Sequence, residues 1–217
     1  MNYLAHFHLA GSDTGLIVGA LLGDYVKGPL TEQYSLGFLN GIILHRRIDR
    51  FSDIHPVQQA VNAVFPVEFR RYNGIIFDVL CDHFLSNNWQ QYDGRKLEDY
   101  AASIYQTLAA HGHLLPTKAK AFSARMQQYN LLCAYQKRIM VEKTLNSIGN
   151  RLSKANPLTE LSSELWTHCA QLEKSFHSFY QQLLSYSTAQ KYLLHNNQDN
   201  HVANSKKHQF SYLSRLR

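Results

Sequence analysis

The sequence predicts an all-α protein, a single-domain multi-helix bundle. Three observations lead there. Apolar residues recur at helical spacing almost throughout, chain-breaking residues fall between those stretches, and no alternating run with a tight turn reads as a hairpin. The 217 residues suit one domain, and 45% hydrophobic against 18% charged residues leaves enough apolar surface for a sizeable core. The pattern divides into seven or eight helices of roughly 10–25 residues.

The N-terminal stretch Asn-Tyr-Leu-Ala-His-Phe-His-Leu-Ala places His6 and His8 two apart, so a helix turns them to different faces. A strongly apolar run then leads to Gly23 and Asp24, and Gly28-Pro29 breaks it. In the segment 41–50, His45 and Asp49 are one turn apart with Ile42 one turn before them. His55-Pro56, Phe65-Pro66 and Asn73-Gly74 punctuate the chain up to the segment 74–89. There Asp78, Asp82, Leu85 and Trp89 form one stripe, and Ile76, Val79, Leu80 and His83 form the adjoining apolar one. After Asp93-Gly94, residues Leu97, Tyr100, Ala101, Ile104 and Leu108 define a further helix face. Leu115-Pro116 and Asn156-Pro157 precede a longer pattern: Leu158, Leu161, Leu165, Cys169, Leu172, Phe176, Phe179 and Leu183. The helical domain is expected over 1–190. Residues 191–217 carry too little apolar surface to offset the entropy of ordering and are expected to form a polar, flexible tail.

Twenty-two basic against 16 acidic residues give a net charge of +6, which favours an acidic partner. Arg70, Arg71, Lys118, Lys120, Lys137, Arg138 and Lys143 are dispersed over several helices, which argues against a nucleic-acid-binding module. The three cysteines lie far apart without a Cys-x-x-Cys pair, which argues against a disulfide scaffold or a structural zinc site and points to a reducing compartment. The first residues do not read as a signal peptide, and no window approaches ~18 consecutive apolar residues. A cytoplasmic protein without a membrane span is expected.

Side chains with metal-ligand chemistry concentrate in the first 90 positions: His6, His8, Asp24, His45, Asp49, Asp53, His55, Asp78, Asp82 and His83. An imidazole and a carboxylate one turn apart suit a divalent cation, as do two carboxylates beside a core-facing histidine. The bland alternatives are an intrahelical His–Asp pair and Asp–Arg bridges to Arg46, Arg70 or Arg71. Gly23 allows close approach of a backbone or ligand beside Asp24. No Gly-x-Ser-x-Gly, P-loop, His-Glu-x-x-His or dinucleotide pattern occurs.

Four ordered motifs resemble one family. They are Asn-Tyr-Leu-Ala-His-Phe-His-Leu-Ala at the start, Gly-Asp-Tyr-Val-Lys-Gly at 23–28, Gly-Ile-Ile-Leu-His-Arg-Arg-Ile-Asp-Arg-Phe-Ser-Asp-Ile-His-Pro at 41–56, and Asp-His-Phe-Leu-Ser-Asn-Asn-Trp at 82–89. Together they resemble the acyl carrier protein phosphodiesterases. The resemblance implies an HD-domain-like helical fold and metal-dependent hydrolysis of the diester joining 4′-phosphopantetheine to a serine of holo-acyl carrier protein. It also implies Mn²⁺, with Mg²⁺ or Fe²⁺ as alternatives. Ordinary HD enzymes read His-Asp, whereas this chain has Asp82-His83, so ligand roles do not transfer from them directly. Matching motif to motif implies Asp24, His45, Asp82 and His83 as the metal set, followed by His6, Asp49 and Asp78. Arg46 or Arg47 is expected to neutralise the phosphate, and His6 or His8 to protonate the departing serine oxygen. The competing functions are a helical hydrolase of nucleotides or small phosphoesters, and a non-enzymatic basic module binding an acidic partner.

Overall fold

The computed structural model describes residues 2–159 and 162–214, the side chains of 162–164 and of residues from 197 onward being outside the description. Among the described residues there are eleven α-helices and no strand. In order they are α1 (Tyr3–Ala10), α2 (Thr14–Leu22), α3 (Leu36–Ile54), α4 (Val57–Val64), α5 (Asn73–Asn87), α6 (Leu97–Ala110), α7 (Thr117–Gln128), α8 (Leu131–Ala134), α9 (Arg138–Arg151), α10 (Ser162–Thr167) and α11 (Cys169–Ser214). Short 3₁₀ turns at Val67–Tyr72, Trp89–Gln91, Gly112–Leu114 and Pro157–Thr159 join several of them.

The centre of the molecule is built from helices that are apolar on nearly every side. α1 buries Leu4, Ala5, Phe7, Leu9 and Ala10, α2 buries Ile17 through Leu22, and α5 buries Ile76, Phe77 and Val79 through Leu85. A helix of that composition has no face for water and is surrounded. α1 is flanked by α2, α3, α5 and α11. The Asp13 carboxylate caps α2 by accepting from the Leu16 amide at 2.8 Å, and Ser35 Oγ caps α3 through the Phe38 amide at 3.4 Å.

α2 and α3 touch backbone to backbone. A Cβ on Gly19 would stand 2.4 Å from the Phe38 carbonyl oxygen and 2.5 Å from Gly41 Cα. No larger residue fits there, so α3 is held at the distance that α2 sets. α3 turns Phe38, Ile42, Leu44 and Ile48 inward, leaving Arg46 and Arg47 half-buried and Arg50 exposed. α11 covers α3, α4, α1 and α5 with Leu172, Phe176, Phe179, Tyr180 and Leu183.

The expected seven or eight helices are corrected to eleven, because several are a single turn or two. Asn130 sits in the left-handed region (φ 44°) and separates α7 from the four-residue α8. The long 158–183 pattern is likewise broken into a 3₁₀ turn, α10 and α11, and its Leu161 lies outside the described residues. α11, at 46 residues, exceeds the expected helix length. The flexible-tail expectation for 191–217 falls mostly on side chains outside the described residues. Within them, Leu194 is buried on α11. No described helix is long and apolar enough to cross a membrane, and the three cysteines are free.

Candidate metal centre

His45 and Asp49 leave α3 one turn apart, and α1 lays His6 against them from the side. Asp49 bridges the two imidazoles: one carboxylate oxygen lies 3.0 Å from His6 Nε2, the other 3.1 Å from His45 Nε2. The rings are stacked, 3.9 Å between centroids and 11° between planes. Asp24, just past the end of α2, brings an oxygen to 3.8 Å from His45 Nε2. Both histidines are buried and both carboxylates reach the surface. The cluster therefore has a closed imidazole side and an open carboxylate side.

Local structure produces this contact. Gly23 ends α2 against the His45 ring, where a Cβ would fall 2.3 Å from the ring's Cγ. Only glycine admits the imidazole at that depth. Arg46 then fixes the segment after Asp24, donating to the Val26 carbonyl at 2.8 Å and the Gly28 carbonyl at 3.0 Å.

The electrostatics are those of a neutral His6 beside an ionised Asp49. Burial, with His45 alongside, pushes His6 down to about 4, against the opposing pull of Asp49. Burial alone would raise Asp49, but hydrogen bonds from His45 and His6 outweigh it and hold the carboxyl well below the usual range. His6 Nδ1 and His45 Nδ1 are buried without a hydrogen-bond partner. That is an unusual cost for two adjacent rings in a packed interior.

One nitrogen from each of His6 and His45 and one oxygen from Asp49 lie within 4.8 Å of one another. The donor set fits a divalent cation that accepts mixed nitrogen and oxygen ligands, such as Mn²⁺, Fe²⁺ or Zn²⁺. Asp24 is placed to join from the open side.

The remaining expected site residues lie elsewhere. Asp82 is fully buried at the start of α1, where its two oxygens accept from the Leu4 amide at 2.8 Å and the Ala5 amide at 2.9 Å. It acts as a long-range helix cap, the next residue after Ala5 being His6. Burial raises Asp82 to about 7, those two amides opposing the rise. His83 donates from Nδ1 to the Tyr135 carbonyl at 2.7 Å and meets Trp166 edge-on. The structure thus does not bring the Asp82-His83 pair to the cluster. Both atoms that would face an ion on Asp82, and Nδ1 of His83, are already engaged in the packing of α1 and α8.

His8 projects to the far side of α1, as the spacing of two implies. Its Nδ1 is 2.8 Å from the Tyr180 hydroxyl, and Trp89 and Tyr100 pack around the ring. Arg46 is engaged as described, and Arg47 donates to Gln190 Oε1 at 2.8 Å. Asp78 is half-buried, its carboxyl raised by burial, and it lines a cleft shared with Asp24. Tyr3 and Tyr25 were not singled out by sequence. They flank Asp24, and burial together with that carboxylate raises the Tyr3 hydroxyl. A tyrosine beside an acid 21 positions away leaves no periodic signal.

The scaffold and cluster define a class: an all-α protein with a candidate divalent-metal site at the meeting of its first three helices. Comparison with known proteins narrows it. The model of the acyl carrier protein phosphodiesterase family matches residues 1–183. The chain is 31% identical over 186 residues to the acyl carrier protein phosphodiesterase of Yersinia enterocolitica, covering 85% of this chain and 96% of that one. It is 30% identical over 185 residues to that of Serratia proteamaculans, with the same coverage of both chains. The protein of Enterobacter sp. with that name is 31% identical over 189 residues, again covering 85% and 96%. No solved structure matches the chain. The chain belongs to the acyl carrier protein phosphodiesterase family.

Proposed function

We propose that this chain hydrolyses the phosphodiester of holo-acyl carrier protein, releasing apo-carrier protein and 4′-phosphopantetheine in the cytoplasm. The carrying observation is the convergence of His6, His45 and Asp49 on one point in a chain of this family. In the reaction the bond from phosphorus to the serine oxygen breaks and one from phosphorus to a water oxygen forms. The water's proton balance is completed by protonation of the serine oxygen.

His6, His45 and Asp49 would hold the cation, with Asp24 beside them, and Mn²⁺ is favoured over Mg²⁺ or Fe²⁺. A cation held there supplies polarisation of the phosphoryl oxygens and hydroxide at neutral pH. The protein's own part is to keep the ligands ready. Neutral His6 retains a lone pair at pH 7, and Asp49 orients both Nε2 atoms toward one place. Burying both rings removes competing water from that side.

Asp49 also belongs to a shallow depression of about 460 Å³ that includes Arg46, Arg47 and Arg50. This edge of α3 supports the reading of an acidic protein substrate, since it puts positive charge next to the reacting point. Arg50 is exposed there, whereas Arg46 and Arg47 already hold backbone and side-chain partners. Intact-mass analysis of holo-carrier protein incubated with the enzyme tests the proposal. Loss of the phosphopantetheine mass with Mn²⁺ but not with chelator is expected. An unchanged carrier in both, with the enzyme folded, overturns it and favours a small phosphoester substrate.

A further inference from the structure

The candidate metal centre lies between two recesses that differ in their apolar surface. Asp49 faces the arginine-bordered depression on α3. Asp24, 3.8 Å from His45 Nε2, forms part of the wall of a second recess of about 550 Å³ between α1, α5, α7, α8 and α9. Its volume is that of a typical small-molecule site.

The chemistry of this second cleft is distinctive. Next to Asp24 it has an aromatic wall, in which Tyr3 packs on Phe122 at 4.7 Å and Tyr25 approaches the same ring at 6.5 Å. Ile75 and Val79 of α5 and Ile148 of α9 add aliphatic surface, and Thr144 and Ser147 add hydroxyls. Apolar walls with a few hydrogen-bonding groups suit an uncharged chain containing methyl groups and amides. The exposed Arg125, Lys143 and Arg151 also line this cleft and suit the phosphate that the arm carries.

We propose that this cleft receives the pantetheine arm of the substrate, so that the diester lies across the metal centre with the carrier protein on the arginine side. The assignment rests on holo-carrier protein being the substrate. A phosphodiester has two ester branches, and here they differ: one is a slender neutral chain, the other a serine on an acidic protein. Of the two recesses that share the centre through Asp24 and Asp49, the one with aromatic and aliphatic walls matches the arm, and the shallow one on α3 matches the carrier surface. The direction is then set, with the bond to be broken on the Asp49 side and the phosphate leaving with the arm on the Asp24 side.

Photolabelling tests this directly. Carrier protein whose pantetheine thiol bears a diazirine is irradiated with the wild-type enzyme in chelator, and the labelled peptides are mapped by mass spectrometry. Label within residues 122–151 is expected. Label confined to other peptides, or none, overturns the assignment. Because the readout is position of label, it is independent of turnover: a wild-type enzyme that labels in the cleft but never releases apo-carrier contradicts the hydrolase reading alone. Kinetics give a second route. Ile148→Trp, or Thr144→Trp should the first not fold, is expected to raise KM for holo-carrier at least tenfold. An unaltered KM in a folded variant overturns the assignment.

Discussion

Asp49 bridges two histidines from different helices, one 43 positions away and the other four. Asp49→Asn keeps the shape but surrenders the anion. Its expected effect on Mn²⁺ affinity exceeds the ~10–100-fold that loss of an outer partner costs, with turnover falling in step, read by metal titration and the carrier assay. Asp82 makes a different prediction. Its carboxylate satisfies two buried amides at the head of α1, so Asp82→Ala should destabilise the fold by about 1–3 kcal/mol for each amide left unpaired, measured by urea unfolding. Metal affinity should fall as well, because α1 positions His6. Full stability in that variant would contradict the capping role. The i, i+4 spacing made His45 and Asp49 legible in the sequence. The role of Asp82 was not, because its partners are backbone groups 77 and 78 positions away.

At the scale of elements, the end of α2 controls the site. Gly23→Ala would drive a methyl group into the His45 ring, which cannot retreat into a packed interior. Helicity by circular dichroism should stay near wild type while Mn²⁺ affinity drops at least tenfold. Wild-type affinity would show that the ring can be moved at no cost to the centre. Gly19→Ala acts on packing alone, meeting the backbone of Phe38 and Gly41, and overpacking of this kind costs about 1–3 kcal/mol. Helix type was readable throughout, and Gly-Pro, His-Pro, Phe-Pro and Leu-Pro pairs fell between elements. Helix number was not, because Asn130 and the 158–169 stretch interrupt the chain without breaking the apolar period. The same sequence cannot show that α1 and α3 lie side by side. That contact follows from the close α2–α3 approach, which depends on glycines 22 residues apart.

For the whole molecule, buried neutral histidines predict an acid limit. His8 is pushed down to about 4 by burial, its Nδ1 lying 2.8 Å from the Tyr180 hydroxyl. Its folded value lies below the 6.5 of an unperturbed histidine, so the unfolded chain takes up the proton first. Stability should be complete above about pH 6.5 and decline as pH falls toward 4, and urea midpoints across that range for metal-free protein check it. His8→Gln should flatten the decline if it folds, and an equally steep one would assign the effect to other groups. The measurement that tests the account most directly is Mn²⁺ binding followed by electron paramagnetic resonance, in wild type, His45→Ala and Asp82→Asn. One ion per wild-type chain, lost in His45→Ala and retained with weakened affinity in Asp82→Asn, is the predicted result. Undiminished binding in His45→Ala, or an ion whose loss follows Asp82 instead, would contradict the centre placed at His6, His45 and Asp49.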